Sequence, residues 1–145
     1  MTQRILFLCE GNICRSPMAE AMLKAVLPDR TVSSAGLNAL VGMPPADYAC
    51  EVMSTRGISI QAHRAQQISH KMFVDADLVL VMDSHQRRYV EANFPSFKGR
   101  VYRLGEFGRF DVADPYRQSR DVFEQCANSI QVGVSEWVKR ILSIG

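Results

Sequence analysis

The chain has 145 residues, 47% hydrophobic and 22% charged, with 17 Lys and Arg against 15 Asp and Glu for a formal charge of +2. That length suits one domain, residues 1–145, around one core. The near-balanced charge makes no case for nucleic acid, and no run approaches the ~18 consecutive apolar residues of a membrane span, so membrane insertion is not expected.

In chain order, Ile5–Leu8 is a short apolar run that reads as a buried strand. Met1-Thr2-Gln3-Arg4 leaves no room before it for a secretory leader, so a cytoplasmic location with reduced thiols is expected. Ser16-Pro17 is a helix start signal. The helix over Pro17–Leu27 carries Met18, Ala21, Met22, Ala25 and Val26 as its apolar stripe, with Glu20 complementing the dipole. Thr31–Ala35 reads as a second strand broken by Gly36, and Leu37–Met43 as loop. Pro44-Pro45 opens a helix to about Arg56, with Gly57 as its stop and Ala46, Ala49, Cys50 and Met53 facing the core.

Ile58–Ile68 is irregular and polar-rich, and Ser69 caps a short helical turn near Met72-Phe73. Leu78–Met82 is uninterrupted and apolar, as in a parallel strand buried on both faces. Asp83 and Ser84 cap a helix from about His85 to Asn93, with Pro95 beyond its end. Val101–Leu104 is a fourth strand and Gly105–Tyr116 a loop. The last helix starts near Arg117–Ser119 and reaches about Ser143; Phe123, Cys126, Ile130, Val134, Trp137, Val138 and Ile141 repeat along it, and Gly133 is expected to soften its middle. Strands alternating with helices imply right-handed crossovers and a parallel sheet. The expected fold class is α/β: a single-domain three-layer sandwich, flavodoxin-like or Rossmann-like, its four-stranded parallel sheet in order 2-1-3-4 and flanked by helices.

The chemistry concentrates between the first strand and the first helix. Cys9-Glu10-Gly11-Asn12-Ile13-Cys14-Arg15-Ser16-Pro17 joins a strand end to a helix N-terminus, where loop N–H groups and the helix dipole favour anions. Gly11 lets the backbone approach a ligand, and Asn12 tolerates a left-handed backbone. Cys9 and Arg15 stand in a C-x5-R spacing. A thiolate at Cys9 is favoured by that field and by the Ser16 hydroxyl, and it is the nucleophile. The Arg15 fork matches two oxygens of a phosphoryl group. Attack of Cys9 on a phosphate ester would give a cysteinyl-phosphate.

Four cysteines are present: Cys9, Cys14, Cys50 and Cys126. Their spacing does not make a zinc site, and no metal or cofactor is expected. Cys50 and Cys126 fall on apolar helix faces as small buried thiols. Cys14 has two readings: packing under the loop, or trapping an oxidised Cys9 as a reversible disulfide. A phenolate leaving group, with a tyrosine pKa of ~10, needs an acid. Asp114, in Asp114-Pro115-Tyr116-Arg117 after the fourth strand, is the candidate, and would then be the base that activates water. A turn aspartate is the alternative, since Asp-Pro pairs mark turns. Asp111 lacks the proline and reads as surface charge. Tyr116 is placed to stack on a substrate ring.

The Cys9–Pro17 run resembles the signature of the low-molecular-weight protein tyrosine phosphatases, and the likeness runs from Ile5 to about Trp137. It looks closest to the bacterial branch linked to capsule and exopolysaccharide production. The resemblance implies a protein-tyrosine phosphatase with Cys9 as nucleophile, Arg15 as phosphate clamp and Asp114 as general acid and base. It implies substrate contacts from Glu10, Gly11, Asn12, Ile13, Cys14 and Ser16, with Leu40 as the wall opposite Tyr116. Some members carry a Trp at the Leu40 position, so a more open cleft is expected. Ser34 and His63 would hydrogen-bond Asn12 and brace the loop. The implied partners are a phosphotyrosine protein, by analogy a bacterial tyrosine autokinase controlling polysaccharide export, and inorganic phosphate as product and competitive ligand.

Two other readings are open to this loop. Arsenate reductases share it but need further cysteines after the third strand. Here that stretch is Met82-Asp83-Ser84-His85-Gln86-Arg87-Arg88, without a thiol. A non-catalytic phosphotyrosine-binding module would be expected to lack Cys9 or Asp114, and both are present.

Overall fold

A computed structural model describes residues 2–144. Its elements run β1 (Arg4–Cys9), α1 (Arg15–Val26), β2 (Thr31–Gly36), α2 (Asp47–Ser54), α3 (His70–Asp75), β3 (Leu78–Val81), α4 (Ser84–Asn93), a 3-10 turn (Pro95–Arg100), β4 (Val101–Arg103) and α5 (Arg120–Ile144). The four strands form one all-parallel sheet, as the alternation of strands and helices predicts, in the order β2-β1-β3-β4 of the expected fold class. β1 is central, pairing with β2 from Arg4↔Thr31 to Cys9↔Gly36 and with β3 at Ile5↔Leu78 to Phe7↔Leu80. Its carboxyl end, at Cys9, therefore opens where the strand order switches direction, the place where parallel sheets bind ligands.

Alternate side chains of β1 feed two cores. Ile5 and Phe7 face α1, α2 and α5, with Met18, Leu23, Met53 and Ile130. Leu6 and Leu8 face the other side, with Phe73, Val79, Val81 and Val90. Each fully buried side chain of this size contributes about 1.5–3 kcal/mol, so β1 is fixed from both faces and Cys9 is fixed with it.

Several helix details differ from the sequence reading. α1 starts at Arg15, with Cys14 at the cap and no side-chain cap bond, because Ser16 turns its hydroxyl to Cys9 instead. The buried stripe of α1 is Met18, Ala19, Met22 and Leu23, whereas Ala25 and Val26 face solvent in its last turn. α2 starts at Asp47 rather than at Pro44-Pro45, and Val52, not the half-buried Cys50, completes its buried face. Asp83 and Ser69 cap α4 and α3 as expected, accepting from Gln86 N and Met72 N. Gly133 does not soften α5, which runs through it unbroken. A β-carbon there would stand 2.6 Å from Leu104 Cγ, so this glycine lets α5 seat against the end of β4.

Candidate active site

The loop from Glu10 to Cys14 has each of its carbonyls held by a donor. Asn38 N donates to Glu10 O at 2.9 Å, Leu40 N to Gly11 O at 3.1 Å, Ala46 N to Ile13 O at 2.9 Å and Met18 N to Cys14 O at 3.4 Å. The Asn12 carbonyl accepts from His63 Nε2 at 2.8 Å, which fixes the ring as the Nε2–H tautomer. Among the described residues none of the N–H groups of residues 10–14 has a protein acceptor. Five consecutive amides are thereby left for a ligand, the arrangement that holds oxyanions.

Asn12 makes this shape possible. Its φ is 61°, a left-handed turn that asparagine accepts more readily than most residues. Its side chain is fully buried and donates to Ser16 Oγ at 2.8 Å and Ser34 Oγ at 3.0 Å, while its Oδ1 accepts from Gln66 N at 3.0 Å. Ser34 Oγ in turn donates to Glu20 Oε1 at 2.5 Å. Asn12 and Ser16, expected at the substrate, have their side chains engaged by Ser34, Gln66, Cys9 and each other, so Asn12 offers a ligand its N–H and not its amide side chain. The glycine that the loop requires is Gly36 rather than Gly11. A β-carbon on Gly36 would sit 2.8 Å from Glu10 O, whereas one on Gly11 would make an ordinary 3.7 Å contact with Leu40.

Cys9 Sγ lies 2.8 Å from Ser16 Oγ at the start of the loop. Facing a thiolate, Ser16 is the donor. Arg15 is 3% exposed, and Nη1 carries its anchoring bonds: to Asp83 Oδ2 at 3.1 Å and to Val112 O at 2.8 Å. Nε and Nη2 make no hydrogen bond among the described residues, so one edge of the fork is clamped and the other is open. Nη2 approaches Asp114 Oδ2 to 3.7 Å. Asp114 is held loosely, by Tyr116 N donating to Oδ1 at 3.1 Å, with nearly half of its side chain exposed.

These groups meet around a cavity of about 160 Å³ lined by Cys9, Glu10, Gly11, Ile13, Cys14, Arg15, Asn38, Leu40, Asp114 and Tyr116. Leu40 and Tyr116 supply its apolar walls, each about two-fifths exposed. Cys14 is buried; burial first, then the neighbouring Cys9 and Asp114, pushes its thiol well above the ordinary range. The cysteines are all free. Asp111 lies at the surface, paired with Arg103 at 3.1 Å.

Two residues of this site escape sequence reasoning in the role they take. Asp83 reads as a helix cap, and it is one, but its second oxygen clamps Arg15; an aspartate at the carboxyl end of a buried parallel strand was the available signal. Glu20 reads as a dipole partner, and it ends the buried chain from Asn12 through Ser34.

Comparison with known proteins shows the family. The family model described as "Low molecular weight phosphotyrosine protein phosphatase" matches residues 4–143. The Ralstonia nicotianae protein named "Probable low molecular weight protein-tyrosine-phosphatase EpsP" is 48% identical over 145 residues, covering 100% of both chains. The crystal structure of the Erwinia amylovora tyrosine phosphatase AmsI superposes with a TM-score of 0.93 at 40% identity, covering 97% of this chain and 93% of that one. The arginine phosphatase YwlE from Geobacillus stearothermophilus shares the fold at a TM-score of 0.91 and 32% identity, covering 97% and 94%. The chain belongs to the low molecular weight phosphotyrosine protein phosphatase family and is a protein-tyrosine phosphatase.

Proposed function

We propose that Cys9, Arg15 and Asp114 carry the reaction, in two displacements at phosphorus. In the first, Cys9 Sγ attacks the phosphorus of an aryl phosphate. The P–O bond breaks as protonated Asp114 gives its proton to the departing phenolate oxygen. The free amides of residues 10–14 and the open edge of Arg15 take the equatorial oxygens, where charge accumulates in the transition state. In the second, the Asp114 carboxylate takes a proton from water as the water oxygen attacks phosphorus. The P–S bond breaks, inorganic phosphate forms and the thiolate returns to the Ser16 hydroxyl. Phosphate, as product, occupies the same cradle and competes with substrate. The observation that carries this reading is the row of unpartnered amides closed at one end by Cys9 and at the other by a clamped Arg15.

Phosphotyrosine suits the walls. Leu40, Ile13 and Tyr116 offer apolar surface that matches a phenyl ring. Leu40 leaves the cleft open enough for a phosphotyrosine within a protein. The physiological substrate we favour is a bacterial tyrosine autokinase that regulates exopolysaccharide or capsule production, met in the cytoplasm, with residues 1–145 acting as one phosphatase domain. The thiol-free stretch after β3, in which Asp83 serves Arg15, supports hydrolysis over arsenate reduction.

The experiment is turnover of a phosphotyrosine peptide, a phosphoarginine peptide and the phosphorylated tail of the autokinase by the wild type and Cys9→Ser. The account expects the phosphotyrosine substrates to be preferred and Cys9→Ser to hydrolyse none while still binding phosphate. Preference for phosphoarginine, or turnover by Cys9→Ser, would refute it.

A further inference from the structure

The loop that carries Asp114 holds an arginine in a conformation that a side chain resists. Arg117 has φ 62°, in the left-handed region that glycine enters freely and other residues do not. The turn around it is fixed by Gln118 N donating to Pro115 O at 2.9 Å and by Gln118 Nε2 donating to Asp114 O at 3.2 Å. The result is that Arg117 Cζ sits 5.2 Å from the centroid of the Tyr116 ring, within cation–π range of a cavity wall. The residue is exposed. Arg15, Arg87 and Arg103, the arginines tied to this loop by ion pairs, are matched with Asp83, Asp114, Glu91, Glu106 and Asp111; Arg117 is in no ion pair among the described residues. A strained backbone that delivers an unpaired cation to the edge of a binding cleft points to use of that cation.

The remaining charges at the mouth sharpen the point. Glu10 and Asp114 both line the cavity and oppose any further anion there. Glu10 Oε1 accepts from Asn38 Nδ2 at 2.6 Å, which leaves its charge in place. A phosphotyrosine ring lodged between Leu40 and Tyr116 would bring its neighbours in the substrate chain over the rim, beside Arg117.

We infer that Arg117 determines specificity: its guanidinium, stacked on Tyr116, receives an anionic side chain next to the phosphotyrosine being hydrolysed. The planar fork suits a carboxylate or a second phosphate equally in geometry. The inference rests on the phosphotyrosine reading of the pocket and adds to it the chemistry of the neighbouring residue.

The test uses phosphotyrosine peptides that differ only in one flanking residue: Gln, Glu, Lys, or a non-hydrolysable phosphonate analogue of phosphotyrosine. The wild type is expected to favour the Glu peptide over the Gln peptide on the order of threefold in kcat/KM, the scale of an exposed ion pair, and the phosphonate peptide by more. The preference should lie in KM, with kcat shared, and should shrink as salt is raised. Arg117→Gly takes the same backbone without strain, so it should melt no lower than wild type while losing the preference. Arg117→Glu should turn the preference toward the Lys peptide. Arg109→Gly is the control: Arg109 is also left-handed, at φ 56°, but does not stack on a cavity residue, and its loss should leave the ranking intact. Preference for the phosphonate alone would assign the subsite to phosphate, and preference for both would assign it to anions in general. Equal kcat/KM across Gln, Glu and phosphonate peptides, or an unchanged ranking in Arg117→Gly, would overturn the inference. Failure to turn over even the Gln peptide would instead overturn the phosphotyrosine reading.

Discussion

The two loops that form the pocket are built on opposite plans. The phosphate loop rests on buried side chains: Asn12, Ser16 and Ser34 form a bonded chain that Glu20 closes, and His63 and Gln66 hold Asn12 from outside. The acid loop from Gly105 to Ser119 touches the site through few bonds, chiefly Val112 O to Arg15 and Val112 N to Met82 O at 2.8 Å. Asp114, Tyr116 and Arg117 beyond Val112 are exposed. The contrast matches the two tasks. A cradle for three phosphoryl oxygens gains from having its donors fixed before substrate arrives. An acid that must serve first a phenolate and then a water gains from a less tightly held carboxylate.

Damage to the cradle should therefore cost most. Cys9→Ser is expected to lower phosphotyrosine hydrolysis by about 10⁴-fold or more, since a serine hydroxyl is a far weaker nucleophile than a thiolate and burial keeps the neighbouring Cys14 thiol protonated. Phosphate binding, read by titration calorimetry, should survive. Arg15→Lys should cost roughly 10²–10³-fold in kcat, because a point charge replaces the open edge of the fork. Asp83→Ala should cost about 10-fold by letting the guanidinium move, and an effect as large as that of Arg15→Lys would show that Asp83 does more than orient.

The acid loop predicts a different signature. Asp114→Asn should slow a phenyl phosphate by about 10²–10⁴-fold and an activated nitrophenyl ester far less, as the nitrophenolate leaves without a proton. Equal slowing of both esters would remove Asp114 from the acid role.

Beneath the cradle the readout is stability. Asn12→Ala removes a buried hydrogen-bonding hub and leaves the Ser16 and Ser34 hydroxyls short of a donor, at a cost of about 1–3 kcal/mol in urea unfolding. A separate effect is confined to alkaline pH. Burial pushes the Cys126 thiol from 9.0 up to about 12, helped by Asp114 and Cys9 and opposed by Arg15. The folded chain keeps that proton where the unfolded chain releases it. Its contribution is full below pH 9.0 and is lost as the pH climbs toward about 12. Cys126→Ala should flatten the fall in stability over that window.

What the sequence makes legible follows the same division. The alternation of elements and the C-x5-R loop are local or periodic, and they stand in the structure where periodicity and spacing predict, whereas the strand order comes with the expected fold class and not from any local pattern. The caps at Ser69 and Asp83 are also local. Contacts between distant segments are what the pattern hides. Nothing in residues 83–84 alone says that one carboxylate serves both α4 and Arg15, 68 positions away. Pro44-Pro45 carries a helix-start signature, yet the chain there stays extended so that Ala46 can cap the Ile13 carbonyl. Gly133 looks like a weak point in a helix until Leu104 is seen against it.

The most direct test of the central claim is a rapid-quench reaction of Asp114→Asn with an activated nitrophenyl phosphate, followed by peptide mass analysis. The account predicts a phosphoryl group on the peptide containing Cys9, forming as fast as nitrophenol is released and decaying with phosphate release. Full nitrophenol release with phosphorus never found on Cys9, or found on another residue, would contradict it.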